Sequence, residues 1–380
     1  MKQNSISWSI SVILAITLMF GIAPESRATQ WEQPKKAASS GSNWDLVLQA
    51  AKGEGALIVY STANPATKQA LTKAMKDKYG IAVDFIIGRG EELVQRIVTE
   101  NRAGLFLGDL VMAGVPTLTQ NLKPTGTMAA LDAALILPEV ADPARWQGKK
   151  LPFQDKEHQI IAFANKSGSH VAVNLDSVVP EDIKSYRDLL HPKWKGKIVM
   201  DDPTATGAAD QWSQLMLVLF GNEKGKEYLQ QITKQDLVLL RDKRLVVEWV
   251  ARNKYPVAIG ADAQTYSEFR AKGAPISFLK LNEGSATTAS GGCIAMLKRA
   301  AHRNASLVFL NWLLTKEGQT IFQKTFGAPS ARLDVDMTGI DPAFIPQEGE
   351  KLISTVSEEW WAGTAGRIEI IKRIFKPLMQ

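Results

Sequence analysis

Cysteine and histidine are scarce in this sequence, with one cysteine and four histidines among 380 residues. Cys293 has no partner within the chain for a disulfide bond, and its apolar neighbours predict a packed, unreactive thiol. The histidines are scattered, without the His-Glu-x-x-His spacing of zinc enzymes, and no Gly-x-Ser-x-Gly nucleophile turn occurs. We therefore expect no catalytic site, no metal motif and no cofactor. Catalysis by residues that meet only in the fold stays open as an alternative, which a turnover assay would reveal.

A strong excess of charge of one sign is also lacking. The 45 Lys and Arg residues and 39 Asp and Glu residues give a formal net charge of +6, and the two signs are interspersed along the chain. A nucleic-acid-binding protein of this size concentrates its basic residues in a patch. The sequence therefore argues against a nucleic-acid partner, while its mild positive charge is compatible with an anionic solute.

The N-terminus has the pattern of an export signal. Lys2 precedes an apolar run over residues 10–20, and Ala28 ends a stretch with small residues at the positions that a signal peptidase reads. The run is too short to span a bilayer comfortably. We expect residues 1–28 to be a cleaved signal peptide and 29–43 to be a flexible lead-in. The mature protein is then expected in the periplasm.

The first third of the body repeats a strand, a turn of polar or small residues, and a helix start. Strands are predicted at residues 56–60, 81–87 and 109–112. Such units build a parallel sheet, and ligands bind beyond the carboxyl ends of its strands. Hydroxyls in the first turn and the guanidinium of Arg89 in the second are suitable donors to a carboxylate or phosphate. Alternatively, Arg89 is solvated or paired with a neighbouring glutamate.

A second group of α/β units begins with the stretch 191–207. Residues 198–200 form a predicted strand, and the turn that follows leads into an apolar-periodic helix. Another strand, over residues 255–260, precedes a turn that contains Asp262. The free N–H groups of such helix starts favour a negatively charged or oxygen-rich ligand. For each turn taken singly, an ordinary capped connection is the alternative.

The order of these units predicts an α/β fold of two domains joined by a hinge of two chain crossings. The first domain comprises residues 44–165 and 286–380, and the second comprises residues 166–285. Helix-start turns of both domains face one cleft, which closes around a small solute. The predicted ligand-binding residues are Ser61, Thr62, Arg89, Gly90, Ala113, Gly114, Asn174, Thr204, Thr206, Gly207, Asp262 and Tyr266.

Five phrases, in order, carry a family resemblance: residues 51–55 (AKGEG), 88–93 (GRGEEL), 188–198 (DLLHPKWKGKI), 309–319 (FLNWLLTKEGQ) and 330–334 (SARLD). Over residues 44–377, the chain resembles the periplasmic solute-binding proteins of ABC importers, in the ferric-iron-type branch of the family 1 extracellular solute-binding proteins. The resemblance implies the type II periplasmic binding fold and an ABC permease of the inner membrane as partner. We expect a monomer that binds a small-molecule solute.

The residues in the second-domain turn bear on the identity of the ligand. Ferric-binding members use an adjacent tyrosine pair in the second domain, whereas Ala263 and Gln264 stand there in this chain, with Asp262 and Tyr266 nearby. We expect no metal site and favour a small organic anion or zwitterion, such as a phosphonate, a sugar phosphate or a carboxylate. Ferric iron is the alternative ligand. A sensor module that hands its bound form to a membrane receptor is an alternative function.

Overall fold

The computed structural model describes residues 40–355 and 357–379. The predicted signal peptide, 1–28, and residues 29–39 of the predicted lead-in lie outside the described residues. The first described helix begins at Ser40. The last four residues of the predicted flexible lead-in are therefore helical, and that part of the prediction is wrong.

Thirteen strands occur in the described residues, most of them short. They are β1 (Ala56–Ser61), β2 (Ala82–Ile87), β3 (Leu110–Ala113), β4 (Ile161–Ala162), β5 (Lys166–Gly168), β6 (Val171–Asn174), β7 (Ile198–Asp201), β8 (Val238–Leu240), β9 (Val257–Ile259), β10 (Ile276–Phe278), β11 (Ser285–Thr288), β12 (Cys293–Met296) and β13 (Leu352–Ser354).

The same part of the chain forms twelve α-helices, and none of them has the length and apolar character needed to cross a membrane. They are α1 (Ser40–Glu54), α2 (Pro65–Tyr79), α3 (Gly90–Arg102), α4 (Pro138–Ala141), α5 (Ala208–Phe220), α6 (Asn222–Ile232), α7 (Lys243–Ala251), α8 (Ala263–Ala271), α9 (Arg303–Leu314), α10 (Lys316–Phe326), α11 (Glu358–Ala362) and α12 (Thr364–Phe375).

Local sequence sets the ends of helix α2, which follows the first strand. The Asn64 side chain accepts a hydrogen bond from the Thr67 backbone N–H at 2.8 Å, and Pro65 occupies the first turn, where its missing N–H costs nothing. Gly80 ends the helix in the left-handed conformation, with φ 74°. The predicted sequence of strand, turn and helix start is thus present here.

The first sheet has the strand order β2-β1-β3-β12-β4. Strand β1 is parallel to β2 and β3, and β12 is antiparallel to β3 and β4. Leu57, Val59 and Met112 pack with helices α2 and α9 on one face, whereas Tyr60 and Val111 pack with α3 on the other. Alternate strand residues therefore point to opposite, covered faces, as a mainly parallel sheet between helices requires.

The second sheet has the strand order β10-β6-β9-β7-β8. Strands β7, β8 and β9 are parallel to one another, and β6 is antiparallel to β9 and β10. Trp212 of α5 and Tyr228 of α6 belong to the core on one face, while Val246 and Val250 of α7 belong to the core on the other. This sheet is also covered on both sides.

The third sheet is smaller, and its strands lie where the chain passes between the two lobes. Its order is β13-β11-β5, with β11 parallel to β13 and antiparallel to β5. We call it the hinge sheet. The first lobe is β1–β4, β12, α1–α4, α9 and α10, and the second lobe is β6–β10, α5–α8, α11 and α12. Strand β5 leads from the first lobe to the second, and β11 leads back.

Strand β13 makes a third crossing that the sequence did not predict. It precedes helices α11 and α12, whose residues Trp360, Ile371 and Phe375 are buried in the core of the second lobe with Trp212 and Tyr228. The predicted assignment of all residues 286–380 to the first domain is wrong for this C-terminal part. The amphipathic face of α12 buries its apolar side chains against α5 and α6 instead.

One ammonium group joins all three crossings. Lys280, which precedes β11, donates a hydrogen bond to the Ser167 hydroxyl of β5, to the Ile345 carbonyl oxygen at 3.1 Å, and to the Glu350 carboxylate at 3.2 Å. Ile345 and Glu350 precede β13. Burial lowers the pKa of Lys280, and the Glu350 carboxylate acts in the opposite direction.

We expect Trp312→Ala to lower the free energy of unfolding by about 3–5 kcal/mol, because it empties a fully buried site in the first-lobe core. The Trp312 ring packs against Phe309 at 6.0 Å between centroids. Urea denaturation followed by circular dichroism measures the change. Leu333→Ala is the matched control, since Leu333 is 58% exposed, and it should leave stability nearly unchanged. Equal effects of the two substitutions would contradict this packing assignment.

Candidate functional site

The carboxyl ends of the parallel strands in the second sheet meet at one edge. Asp201 ends β7 and Ile259 ends β9, and the antiparallel strand β6 begins there, because Val171 pairs with Ile259. His170 therefore lies at this edge, just before β6. Helices α5 and α8 begin beyond it. The edge thus combines two helix starts with residues that enter from the hinge.

A cavity of about 300 Å³ opens at this edge, between the second lobe and the hinge sheet. This volume is at the lower end of the range for small-molecule sites. The lining residues are Lys166, Ser167, Gly168, His170, Gly207, Ala208, Gln211, Lys243, Ala261, Asp262, Ala263, Phe278, Ala286, Thr288, Ser290, Phe344 and Thr355. We call it the cleft cavity.

Two helix N-termini form the second-lobe wall of the cleft cavity. Gly207 and Ala208 stand at the start of α5, and Asp262 and Ala263 stand at the start of α8. Asp262 Oδ1 accepts hydrogen bonds from the Thr265 N–H at 2.8 Å and from its hydroxyl at 2.7 Å. Among the described residues, Asp262 Oδ2 has no hydrogen-bond partner, so it is free to accept one from a solute.

Two lysines supply positive charge to the cleft cavity, Lys243 from the second lobe and Lys166 from the hinge sheet. Lys243 begins α7, and its Nζ lies 3.8 Å from the position that a Cβ would take at Gly207. Lys166, on β5, places its Nζ 3.5 Å from the centroid of the Phe344 ring. Burial lowers the pKa of Lys166 to about 8, while the carboxylates of Asp262 and Asp341 act in the opposite direction. Lys166 is therefore mostly charged at neutral pH and loses its charge in mildly basic solution.

His170 contributes a neutral ring to the cavity at neutral pH. Burial, together with the nearby charge of Lys166, lowers the pKa of His170 to about 4. Its backbone is in the left-handed region, with φ 58°, and its carbonyl oxygen accepts a hydrogen bond from the Gly260 N–H at 2.7 Å. The ring thus offers a neutral donor or acceptor rather than a second buried charge.

The first lobe reaches the cleft cavity through Ser290. The residues before β12 lie at the carboxyl edge of the first sheet, because Cys293 pairs with Ala113 at the end of β3. A Cβ at Gly114 would come within 3.0 Å of the Ser290 carbonyl oxygen. A Cβ at Gly291 would lie 3.5 Å from the Thr62 hydroxyl oxygen. Thr62 and Gly114 therefore adjoin the turn that lines the cavity without lining it themselves.

The structure places the twelve predicted ligand-binding residues unevenly. Gly207 and Asp262 line the cleft cavity, and Thr62 and Gly114 adjoin it. The Ser61 side chain is buried and accepts a hydrogen bond from the Ala63 N–H at 3.0 Å. Ala113 is a buried residue of β3. Ser61 and Ala113 thus stabilise the first lobe and do not line the cavity.

Asn174 and Tyr266 are corrected by the structure. Asn174 ends β6 at the edge of the second sheet opposite the cavity, and its side chain donates to the Val250 carbonyl oxygen at 2.8 Å. The Tyr266 hydroxyl donates to Asp341 Oδ2 at 3.0 Å, and the buried ring packs against Phe278 and Phe344. Burial and the Asp341 carboxylate raise the pKa of Tyr266 to about 12. Both residues therefore have structural contacts in place of the predicted ligand contacts.

Arg89, Gly90, Thr204 and Thr206 also lie outside the cavity lining. Arg89 is exposed at the start of α3, and a Cβ at Gly90 would come within 2.1 Å of the Thr117 hydroxyl oxygen, so this glycine permits close packing. The Thr204 N–H and hydroxyl both donate to Asp202 Oδ1, at 2.8 and 2.6 Å, within their own turn. Thr206 is exposed.

Sequence reasoning missed most of the cavity lining. Lys243 follows the three-residue strand β8 and the helix cap Asp242, so it obeys the same strand, turn and helix rule and was open to prediction. Lys166 begins the hinge strand β5, and His170 directly precedes the antiparallel strand β6. The strand, turn and helix rule applies to neither position. Phe344 comes from the third crossing, far along the chain, and no local pattern indicated it.

No group of three or more His, Cys, Asp and Glu side chains that could hold a metal ion occurs among residues 40–355 and 357–379. The nearest tyrosine to the α8 start, Tyr266, has its hydroxyl bonded to Asp341. The cavity lining contains a single carboxylate, that of Asp262. The cavity is thus poorly suited to ferric iron, which prefers several anionic oxygen ligands.

Solved structures of periplasmic binding proteins are similar to this fold. An iron- and citrate-bound protein from Trichodesmium is 19% identical with a TM-score of 0.66, covering 84% of this chain and 99% of its own. AfuA from Actinobacillus pleuropneumoniae, with fructose-6-phosphate bound, is 20% identical with a TM-score of 0.59, and the match covers 85% of this chain and 98% of AfuA. Iron-bound HitA from Pseudomonas aeruginosa is 20% identical with a TM-score of 0.61, and the match covers 84% of this chain and 99% of HitA. These likenesses confirm the predicted type II periplasmic binding fold.

The sequence itself also matches a family. A family model for the bacterial extracellular solute-binding protein matches residues 56–326, which include both long sheets and the first two crossings of the hinge. The predicted family and the prediction that this is not an enzyme are confirmed. The chain belongs to the bacterial extracellular solute-binding proteins.

Proposed function

We propose that the cleft cavity binds a small phosphorylated sugar or a closely similar organic anion, and that the protein delivers it in the periplasm to an ABC permease of the inner membrane. The observation that carries this proposal is the convergence of two lysines and two helix N-termini on a cavity with a single carboxylate. Of the anions left open by the sequence, a sugar phosphate matches the lining most completely.

The positive part of the cavity suits a phosphate or carboxylate group. The start of α5 has no side-chain cap, so its N–H groups carry partial positive charge, which favours an anion in front of them, whereas at the start of α8 the Asp262 carboxylate already accepts from the Thr265 N–H. Lys243 stands beside the α5 start and Lys166 beside Asp262. Charge-assisted hydrogen bonds from such donors are about twice as strong as neutral ones.

The remaining lining suits the hydroxylated body of a sugar. Asp262 Oδ2 is available to accept a hydrogen bond from a sugar hydroxyl, and Thr288 and Ser290 offer hydroxyls from the hinge side. Phe278 and Phe344, two nearly buried rings, add a small apolar surface for the C–H groups of a sugar. A bare inorganic anion would leave these contacts unused.

Closure of the lobes is the expected mode of capture. The cavity is lined by the second lobe, by β5 and β11 of the hinge sheet, and by Ser290 next to the first lobe. A solute that contacts both sides stabilises the closed form only by its differential affinity for that form. Because the closed form is stabilised by the bound solute, the loaded protein has a shape distinct from that of the empty protein. A permease can recognise this difference in shape.

We expect Lys243→Gln to weaken binding of fructose 6-phosphate about tenfold or more, because it removes a charged donor to the phosphate. Arg89→Gln should change the affinity little, since Arg89 is exposed and outside the cavity lining. Isothermal titration calorimetry of the purified protein measures both, with glucose 6-phosphate, 2-aminoethylphosphonate, citrate and ferric citrate as the remaining ligands of the panel.

Two results would contradict this assignment. Heat from ferric citrate alone, with none from the phosphate esters, would make iron the ligand. A large loss of affinity in Arg89→Gln with none in Lys243→Gln would place the anion near the first-lobe turn that the sequence predicted. Unchanged melting temperatures of both variants would exclude unfolding as the cause.

We also expect sugar phosphate affinity to fall as the pH rises from 7 to 9.5. The pKa of Lys166 is about 8, so its positive charge is present at pH 7 and is mostly lost at pH 9.5 in the empty protein. The phosphate ester is already fully ionised in this range, because its second pKa is about 6. Calorimetric titration at several pH values measures the change.

Lys166→Gln is the test of this pH dependence. The variant should bind more weakly than the natural protein at pH 7 and should lose most of the decline between pH 8 and 9.5. Lys243→Gln is the control, because it keeps Lys166 and should therefore keep the decline. A decline of the same size in Lys166→Gln would assign it to another group.

A further inference from the structure

A second cavity lies at the opposite edge of the first sheet from the cleft. Gly108 precedes β3 and Leu297 follows the antiparallel β12, so both line the edge at which the parallel strands begin. Strand β3 has four residues, which separates the two edges by about 13 Å. We call this cavity the distal pocket, lined in part by Asn101, Phe106, Ala130, Leu297 and Arg299.

The distal pocket is large and its walls are held by backbone hydrogen bonds. Its volume is about 500 Å³, compared with about 300 Å³ for the cleft cavity. The Ala129 N–H donates to the Met296 carbonyl oxygen at 2.9 Å, and the Lys298 N–H donates to the Thr127 carbonyl oxygen at 2.8 Å. These bonds fix the segments on two sides, so the space is largely pre-formed and needs little ordering to accept a ligand.

Its lining is apolar and basic, with no carboxylate. Phe106, Ala129, Ala130 and Leu297 supply apolar surface, and Lys298 and Arg299 supply positive charge. The cleft cavity, by contrast, contains Asp262 and several hydroxyls. The two cavities therefore select different ligands.

Arg299 is available to bind an anion. Its guanidinium carbon lies 4.3 Å from the centroid of the Phe106 ring, and among the described residues it forms no ion pair. The Lys298 ammonium donates to the Gly126 carbonyl oxygen at 2.6 Å, which leaves its charge unneutralised. The Asn101 side-chain amide also forms no hydrogen bond within this part of the chain.

The nearest acidic side chains are engaged elsewhere. Asp109, directly after Gly108, is fully buried and accepts hydrogen bonds from the Ile58 N–H at 2.7 Å and from the His302 N–H at 2.9 Å. Glu100 accepts from Arg96 Nε at 2.7 Å and from the Tyr60 hydroxyl. Neither carboxylate contacts Arg299, so no side chain of the described protein neutralises it.

We propose that the distal pocket binds an apolar monoanion, a small aromatic or aliphatic carboxylate, as a second ligand beside the cleft solute. The carboxylate accepts parallel hydrogen bonds from the Arg299 guanidinium, and the apolar body fills the space lined by Phe106, Ala130 and Leu297. A sugar phosphate is disfavoured there, because its hydroxyls would meet apolar walls without enough partners.

Isothermal titration with 2-naphthoate, and with the neutral 2-naphthalenemethanol as its matched control ligand, tests this site. We expect saturable binding of one 2-naphthoate per chain. Arg299→Gln should weaken 2-naphthoate binding about tenfold or more without affecting the alcohol, because only the anion uses the charge. Ala130→Leu should abolish binding of both, since it fills the pocket. Arg102→Gln, which changes an exposed arginine outside the pocket, should affect neither.

Three outcomes would overturn the proposal. They are absence of saturable 2-naphthoate binding at millimolar concentration, equal affinities in the natural protein and Arg299→Gln, and loss of 2-naphthoate binding in Lys243→Gln. The last outcome would place the anion in the cleft cavity. Arg299 is exposed, so its substitution should leave the melting temperature unchanged, and failure of Ala130→Leu to fold would still leave the Arg299→Gln comparison decisive.

Discussion

The contact between the Lys280 ammonium and its three partners is the constraint on which the rest of this structure depends. Ser167, Ile345 and Glu350 belong to different passages of the chain between the lobes, and the ammonium draws all of them together beside the hinge sheet. Because this cation is partly buried, removal of the Glu350 carboxylate would leave the ammonium charge without compensation. The three passages between the lobes are therefore hydrogen-bonded to one another and are not independent linkers.

The hinge sheet also separates two cavities. Successive residues of β11 point in opposite directions, so Ala286 and Thr288 line the cleft cavity while Thr287 lines a wider cavity of about 940 Å³ behind the sheet. The closure proposed above would therefore change two spaces that share the residues of β11.

The sequence was informative wherever a strand leads directly into a helix. That local rule placed Gly207 and Asp262 at the sheet edge where the cleft cavity lies, but it also selected Arg89, which lies outside the cavity, because a helix start needs the same residue types whether or not a ligand binds. It failed for Asn174, since the direction of β6 relative to β9 depends on pairing and not on local pattern. It also missed Phe344, which reaches the cavity only through the third crossing. The assignment of residues 286–380 to the first domain was wrong for α12, because an apolar helix face does not indicate which lobe it covers.

The third crossing has a consequence for the order in which the protein can fold as it is made. The first lobe needs β12, α9 and α10, and the second lobe needs Ile371 and Phe375 of the last helix to complete its core. Each lobe is therefore built from segments that are separated in the chain. As the polypeptide emerges from the ribosome, the first lobe can be completed once α10 has been made, whereas the second lobe has to wait for α12 and is therefore completed after the first.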